Sequence, residues 1–303
     1  MGLRFRKSIK LTDHLKLNVG NKSSSISAGV KGAHYTVSTS GRRTATVGIP
    51  GTGLSYSKTF GTKKGKKDDP VDKLKDKLGL SKEAKEAKKS AELVENYEEE
   101  VNEVIGIHRD GVEPVNWNKL SDVPSDLKEY RDGVLSKDID TFYKVIEDAE
   151  PFDALVDFGS EFEIGTDDPS VMEVEFNIKA KDVLPTTKVE LNASGKAVEK
   201  ELTKTAYYEI YQDYVCSVAI RLARDLFALL PLEKVLVNAV DIELNTATGN
   251  DEEVTYLSVL FDRDTFEKIN LDKIDPSDSL DNFEYNMKFA KTTGFKPVKR
   301  MEI

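Results

Sequence analysis

From Leu15 to Phe60 apolar residues recur at every second position in short runs: Leu15-Lys16-Leu17-Asn18-Val19, Ser25-Ile26-Ser27-Ala28-Gly29-Val30, His34-Tyr35-Thr36-Val37-Ser38, Thr44-Ala45-Thr46-Val47-Gly48-Ile49 and Leu54-Ser55-Tyr56-Ser57. Period-two alternation is the strand pattern. Gly20-Asn21, Lys31-Gly32, Ser40-Gly41 and Pro50-Gly51 separate the runs as hairpin turns do. The pattern predicts an antiparallel meander with one apolar face and one Ser/Thr/basic face. A sheet this small, with side chains as thin as Ala28 and Ala45, buries little surface alone and exposes edge strands that invite pairing. It is expected to need a partner surface.

After Gly61 the run Thr62-Lys63-Lys64-Gly65-Lys66-Lys67-Asp68-Asp69-Pro70 has no apolar residue and changes sign, which reads as a linker. Helix formers follow, with Ala84, Ala87, Ala91, Val94, Val101 and Ile105 spaced by threes and fours. Short helices are predicted between Trp117 and Ala149, the clearest from Asp138 to Ala149. Val171-Met172-Glu173-Val174-Glu175-Phe176-Asn177-Ile178 alternates as a strand ending at Val183-Leu184-Pro185, and Ser194-Gly195-Lys196 makes a turn before Val198. The longest helix runs from about Lys204 to Leu230, closed by Pro231; its second half is apolar nearly all round, the mark of a buried central helix. Strands Lys234–Leu244 and Glu253–Phe261 pair across Asn245–Asn250, and short helices are predicted at Arg263–Ile269 and Ser277–Asn282 before a basic tail from Lys288 to Arg300. The expected division is a basic β-meander module over 1–60, a charged linker over 61–82, a helical segment over 83–150 and an α+β domain over 151–303, with one long helix packed on a sheet. The fold class is therefore α+β.

Charge sharpens this division. The formal net charge is −10, yet residues 1–67 hold 14 Lys and Arg against Asp13 alone, a charge of +13, so residues 68–303 carry −23. Separate electrostatic roles follow: a basic end suited to an anionic partner, or to the acidic part of the same or a neighbouring copy, and an acidic body. The 303 residues allow about two domains, and no run approaches the roughly 18 apolar residues of a membrane-spanning helix. Met1 to Lys10 has cations without an apolar run behind them, and Cys216 is the one cysteine. A reducing, cytoplasmic setting is expected.

Met1-Gly2-Leu3-Arg4-Phe5-Arg6-Lys7-Ser8-Ile9-Lys10, the Ser24–Val30 strand and the run Gly48-Ile49-Pro50-Gly51-Thr52-Gly53-Leu54-Ser55-Tyr56 resemble the bacterial domain-of-unknown-function family numbered 4236. The resemblance covers about the first sixty residues. The remainder, around Asp213-Tyr214-Val215-Cys216-Ser217 and Leu244-Asn245-Thr246-Ala247-Thr248-Gly249, resembles the C-terminal partner domain found with that family. Neither resemblance implies an activity; together they imply a bacterial setting.

Catalytic motifs are sparse. Gly48-Ile49-Pro50-Gly51-Thr52-Gly53 lacks a Gly-Lys-Ser/Thr ending and a following helix, so a Pro-Gly turn explains it better than a phosphate cradle. His14, His34 and His108 have no metal-ligand spacing with each other or with Cys216, and no cofactor is predicted. Cys216 lies mid-helix, where a thiol acts as a small hydrophobe. Glu173 and Glu175 share a strand face, and with Lys179 are the candidates for a metal-dependent nuclease or other hydrolase, against a solvated acidic stripe as the plainer explanation. Tyr207, Tyr208, Tyr211 and Tyr214 fit either a pocket or packing of a helix start, and Arg221 with Asp225 reads as a structural pair four residues apart.

The preferred reading is a non-enzymatic assembly or docking protein, a homo-oligomer or a binder of an acidic protein surface. Arg4, Arg6, Lys7, Lys10, Arg42 and Arg43, with Tyr35 and Tyr56, are the candidate partner-binding residues, and Ile26, Val30, Val37, Val47 and Ile49 pack. Nucleic-acid binding is the alternative, because the same cations neutralise phosphates while Phe5, Tyr35 and Tyr56 offer stacking faces.

Overall fold

The computed structural model describes the strands within residues 3–60 and residues 82–85 and 157 by their backbone, and residues 86–156, 158 and 161–302 with their side chains. Contacts divide the chain into two units. One gathers Leu3–Phe5, Glu103–Leu184 and residues from Lys204 onward; the other gathers the strands between Ser8 and Phe60, the helix up to Asn102 and Pro185–Thr203. The class is α+β, as the alternation of patterns predicts.

In chain order the strands are β1 (Leu3–Phe5), β2 (Ser8–Thr12), β3 (Leu15–Val19), β4 (Ser24–Val30), β5 (Ala33–Ser38), β6 (Arg43–Gly48) and β7 (Ser55–Phe60), followed by helix α1 (Lys82–Ile105) and, after short turns, α2 (Ile139–Ala149). Then come β8 (Phe162–Gly165), β9 (Val171–Asn177), β10 (Thr187–Leu191), β11 (Ala197–Glu201), α3 (Lys204–Leu229), β12 (Lys234–Asn245), β13 (Asn250–Asp262), β14 (Glu284–Ala290) and β15 (Gly294–Lys296). One-turn helices stand at Arg131–Leu135, Ala180–Val183, Arg263–Phe266 and Pro276–Ser279.

The meander unit holds a six-stranded sheet in sequential order β2-β3-β4-β5-β6-β7, every pair antiparallel. Register sorts the sequence cleanly. Leu17, Ile26, Val37 and Arg43 stand in one row, Leu15, Ala28, Tyr35 and Ala45 in the next, and Val30, Ala33, Val47 and Tyr56 in a third. Positions two apart share a face, so the apolar positions fall on one face, together with Arg43 and Lys58, and most Ser and Thr positions with Lys10 and Lys16 on the other. In the same unit β10 and β11 pair antiparallel through a turn in which Asn192 Oδ1 accepts the N–H groups of Ser194 and Lys196, and Gly195 takes φ +74°.

The larger unit is built on a seven-stranded sheet of order β1-β8-β9-β12-β13-β14-β15. All pairs are antiparallel except β9 with β12, which the chain joins through α3. Parallel neighbours require such a crossover. From Tyr214 to Leu230 α3 is buried at every residue but Arg224, which explains its apolar circumference. It packs on β12 and β15 and against the turns at Ile107–Arg109 and Pro276–Ser279. Phe142, Val145 and Ile146 of α2, Met172, Val174 and Phe176 of β9, and Val235, Val237 and Ala239 of β12 belong to the same core. An Asp138 carboxylate caps α2 by accepting the Thr141 N–H.

Several sequence expectations change. Leu3–Phe5 is the edge strand of the larger unit's sheet, Leu3 standing opposite Ile164 and Phe5 opposite Phe162. The strand beginning at Val171 ends at Asn177, the Ile178 N–H bonding the Val240 carbonyl as the last rung, and a helical turn occupies Ala180–Val183 where the sequence suggests continued strand. The segment from Lys288 to Arg300 read as a tail holds the end of β14 and all of β15, and its Phe289 and Phe295 pack against the core. Of the linker expected over 61–82, residues 61–81 lie outside the described residues and Lys82 opens α1.

Candidate docking surfaces and the polar sites of the larger unit

The described candidate partner-binding residues fall in three places. Tyr35, Tyr56 and Arg43 occupy positions of the apolar face of the meander, Arg43 opposite Val37 and Phe60. Lys10 stands opposite Lys16 in the Ser/Thr/Lys set. Arg4 belongs to the other unit, opposite Glu163 on β8. Arg6, Lys7, Arg42 and the packing residue Ile49 lie outside the described residues.

In the larger unit β8 through β14 bring a polar row to the sheet face opposite the core: Glu163, Glu175, Asn238, Ser258 and Asn286 are successive cross-strand partners. The C-terminal segment covers this row. Val298 N–H bonds the Thr255 carbonyl at 2.9 Å, Asn286 donates to the Lys299 carbonyl at 2.9 Å, and Met301 N–H donates to Ser258 Oγ at 3.0 Å. Arg300 lands on the Glu175 carboxylate, with Glu253 at 3.9 Å. Burial pushes the Glu175 carboxyl up and Arg300 pulls it back, so this acid is the partner of a structural cation. Glu173 accepts from Asn238 Nδ2 at 2.7 Å, and Lys179 is 3.9 Å from Glu161. The three hydrolase candidates therefore have three separate partners. No three His, Cys, Asp or Glu side chains come together as a metal-ligand set among the described residues.

A second polar feature runs along buried α3. Ser217, Arg221 and Asp225 are spaced four apart and so share one stripe. Ser217 Oγ meets both the backbone N–H and Nδ1 of His108, at 3.0 and 2.8 Å. Arg221 pairs with Asp225 at 2.5 Å, as their spacing predicts, and Asp225 accepts the Val112 N–H at 2.9 Å. Arg224 donates to the carbonyls of His108 and Arg109. The stripe thus fastens Ile107–Val112 to the helix. His108 and Ser217 are fully buried, which leaves this pair without access for a substrate. Cys216 beside them is buried too, and burial raises its thiol well above the ordinary range.

Where α3 begins, a groove of about 590 Å³ opens between the helix, the turn at Pro276–Ser279 and β14. Glu209, Asp213, Asp275, Asp278, Asp281 and Lys291 line it. Most of these are engaged: Lys291 meets Glu209 at 2.8 Å, Asp275 accepts the N–H groups of Ser277 and Asp278, and Tyr285 donates to Asp281 at 2.9 Å. Burial, with Asp275, Asp278 and Glu209 nearby, pushes Asp213 up to about 6 although Ser277 bonds it. The neighbouring tyrosines are packing residues. Tyr207 contacts Tyr208 and Tyr211, and Tyr211 meets Phe295 edge-on at 5.0 Å, which in turn stacks on Tyr256 at 5.8 Å.

Sequence reading missed two features: this groove and the projecting end of β12 and β13. The sequence does carry a signal for the second, since Asp241-Ile242-Glu243-Leu244 alternates acid with aliphatic and no Lys, Arg or His stands between Val235 and Asp262. Among the described residues no helix is long and apolar enough to cross a membrane.

No curated protein and no solved structure matches the chain. The resemblance read for the C-terminal part has no counterpart among the matches. Residues 3–57, from β1 into β7, match the model of the family described as "Protein of unknown function (DUF4236)", and this N-terminal segment is similar to that family.

Proposed function

We propose that this is a non-enzymatic assembly protein whose basic six-stranded sheet associates with the same sheet of a second copy through its apolar face. The observation that carries the reading is the register, which collects Leu17, Ile26, Val37, Val30 and Val47, with Arg43 and Lys58 among them, on one face of the sheet and Ser and Thr on the other. A one-sided sheet gains stability by burying its apolar face against a second layer. Apolar contact holds the two sheets together against the mutual repulsion of their cations.

A second reading, sequence-blind nucleic-acid binding, is favoured by one observation: Tyr35, Tyr56 and Arg43 fall on the same face, the combination used for stacking bases beside phosphates. Light scattering of the full chain after size exclusion, with the 260/280 nm ratio recorded at low and high salt, separates the two. Assembly predicts an oligomer at both salts that Val37→Glu converts to monomer. A monomer carrying nucleic acid that salt releases overturns assembly in favour of the second reading, because counterion release makes only the latter steeply salt-dependent.

A further inference from the structure

Beyond Val240 the β12–β13 hairpin leaves the sheet. β9 pairs with β12 only from Lys234 to Val240, and β14 pairs with β13 only from Leu257 to Leu260, whereas β12 and β13 stay together as far as Asn245 and Asn250. Residues 241–254 are thus a two-stranded arm. The direction of its backbone groups is known at one point: the Val240 carbonyl accepts the Ile178 N–H at 2.7 Å on the β9 side. Backbone groups of residues two apart point the same way along a strand. Ile242 and Leu244 therefore present their N–H and C=O to that side, where no described strand is paired to them. The Ile242 N–H turns to Oδ1 of Asp241, its own neighbour, at 2.8 Å.

Edges of this kind are ordinarily blunted by charged side chains, Lys above all, by Pro or by a bulge; here the charges are carboxylates, which repel an acidic strand and not a basic one. The only bulge in this pair precedes the arm, between Ala239 and Val240. Asp241–Asn245 contains neither Lys nor Pro, and Ile242 and Leu244 stand 64% and 59% exposed. Asp241 and Glu243 alternate with them, and Asp251, Glu252 and Glu253 face them across the hairpin, with no Lys, Arg or His between Val235 and Asp262. Tyr256 donates its hydroxyl to Glu243, and Lys181 near Asp241 and Arg300, 3.9 Å from Glu253, offset only part of this charge.

We propose that the edge Asp241–Asn245 is a docking strand for an extended segment of a partner protein in which Lys or Arg alternates with Val, Ile or Leu. Such a segment pairs its backbone with Ile242 and Leu244, lays its aliphatic residues beside their side chains, and sets its cations beside Asp241 and Glu243. Charge complementarity selects this occupant. An identical arm would bring like charges together across the ladder, which is destabilising.

The test uses the full chain and a fluorescent hexapeptide alternating Lys and Val, read by anisotropy. Two versions of equal charge are compared with it, one N-methylated at every Val and one at every Lys; the two block opposite edges of the peptide. The expected result is saturable binding that one or both methylations abolish, that Glu243→Lys weakens about tenfold, and that Ile242→Pro removes. The Ile242 N–H points away from β13, so the proline leaves the hairpin ladder intact, which a circular-dichroism melt verifies; Glu243→Lys serves if it does not. Unchanged binding by both methylated peptides, or no saturable binding up to about 1 mM peptide, overturns the proposal.

Discussion

Ser217 and His108 are 109 residues apart in sequence, yet one hydroxyl serves two atoms of the histidine, its backbone N–H at 3.0 Å and its ring Nδ1 at 2.8 Å. Both residues are fully buried. A contact of this kind fixes where the chain between α1 and the short helices lies against α3.

Ser217→Ala is expected to destabilise the chain by about 1–3 kcal/mol, because it leaves a buried N–H and a ring nitrogen without that partner. Urea unfolding measures it. The histidine adds a pH signature: burial lowers its pKa, Arg109 adds to this, and nearby carbonyls of Leu271 and Ile105 offset part of it. A folded value below the unfolded one means its contribution is full above the unfolded pKa and is lost as pH falls through the folded value. His108→Asn, which takes no charge, should therefore lose less stability than the parent between about pH 7 and pH 5. Parallel loss in both proteins would show that His108 does not titrate there.

The pair Arg221–Asp225 is buried on both sides, at 7% and 0% side-chain exposure. Arg221→Met alone leaves a buried carboxylate without its cation and should cost about 3–5 kcal/mol. Arg221→Met with Asp225→Leu is expected to cost clearly less than the sum of the single changes, although the Val112 N–H then loses its acceptor. Additive costs in a double-mutant cycle would mean that the two side chains are not coupled.

Asp213 sits in the groove with its pKa raised to about 6, chiefly by burial. A raised carboxyl supports the fold while protonated, and that support is lost as pH rises from the unfolded value, near 4, through the folded one. Asp213→Asn should match the parent near pH 4 and exceed it above pH 6, by about 1 kcal/mol once partial exposure of the site is allowed for. Thermal melts across this range measure the difference, and a constant offset would place the titration elsewhere.

Gly294 opens β15 at φ +75°, and a Cβ added there would lie 2.6 Å from the Tyr208 ring. Gly294→Ala therefore meets backbone strain and a steric clash together, with an expected cost of about 1–3 kcal/mol. Tyr208→Ala placed on top should relieve the clash and leave the strain. If Gly294→Ala melts with the parent, neither effect operates.

Elements whose residues carry their own periodicity were legible before any contact was known. The alternation Leu15-Lys16-Leu17 through Ser55-Tyr56-Ser57 corresponds to a sheet whose register repeats it strand by strand, and the apolar circumference after Tyr214 corresponds to a helix buried on all sides. The turn at Ser194-Gly195 and the loop between β12 and β13 were legible for the same reason: glycine and asparagine carry local conformational preferences. Candidate sites fared differently. Glu173 and Glu175 were correctly placed on one face, but the residues that engage them, Asn238 and Arg300, lie far along the chain.

What the sequence determined by itself is therefore the local geometry: which stretches are strands, which helix is central, and where charge of each sign is concentrated. Only the tertiary structure decided that Leu3–Phe5 extends the larger unit's sheet beside β8, that Met287, Phe289 and Phe295 make strands of a lysine-rich segment, and that residues 298–301 close over Glu175 and Ser258. The physical reason is range. A three-residue strand such as Leu3–Phe5 is too short to show a period, and what stabilises it is the ladder it completes with residues more than 150 positions away.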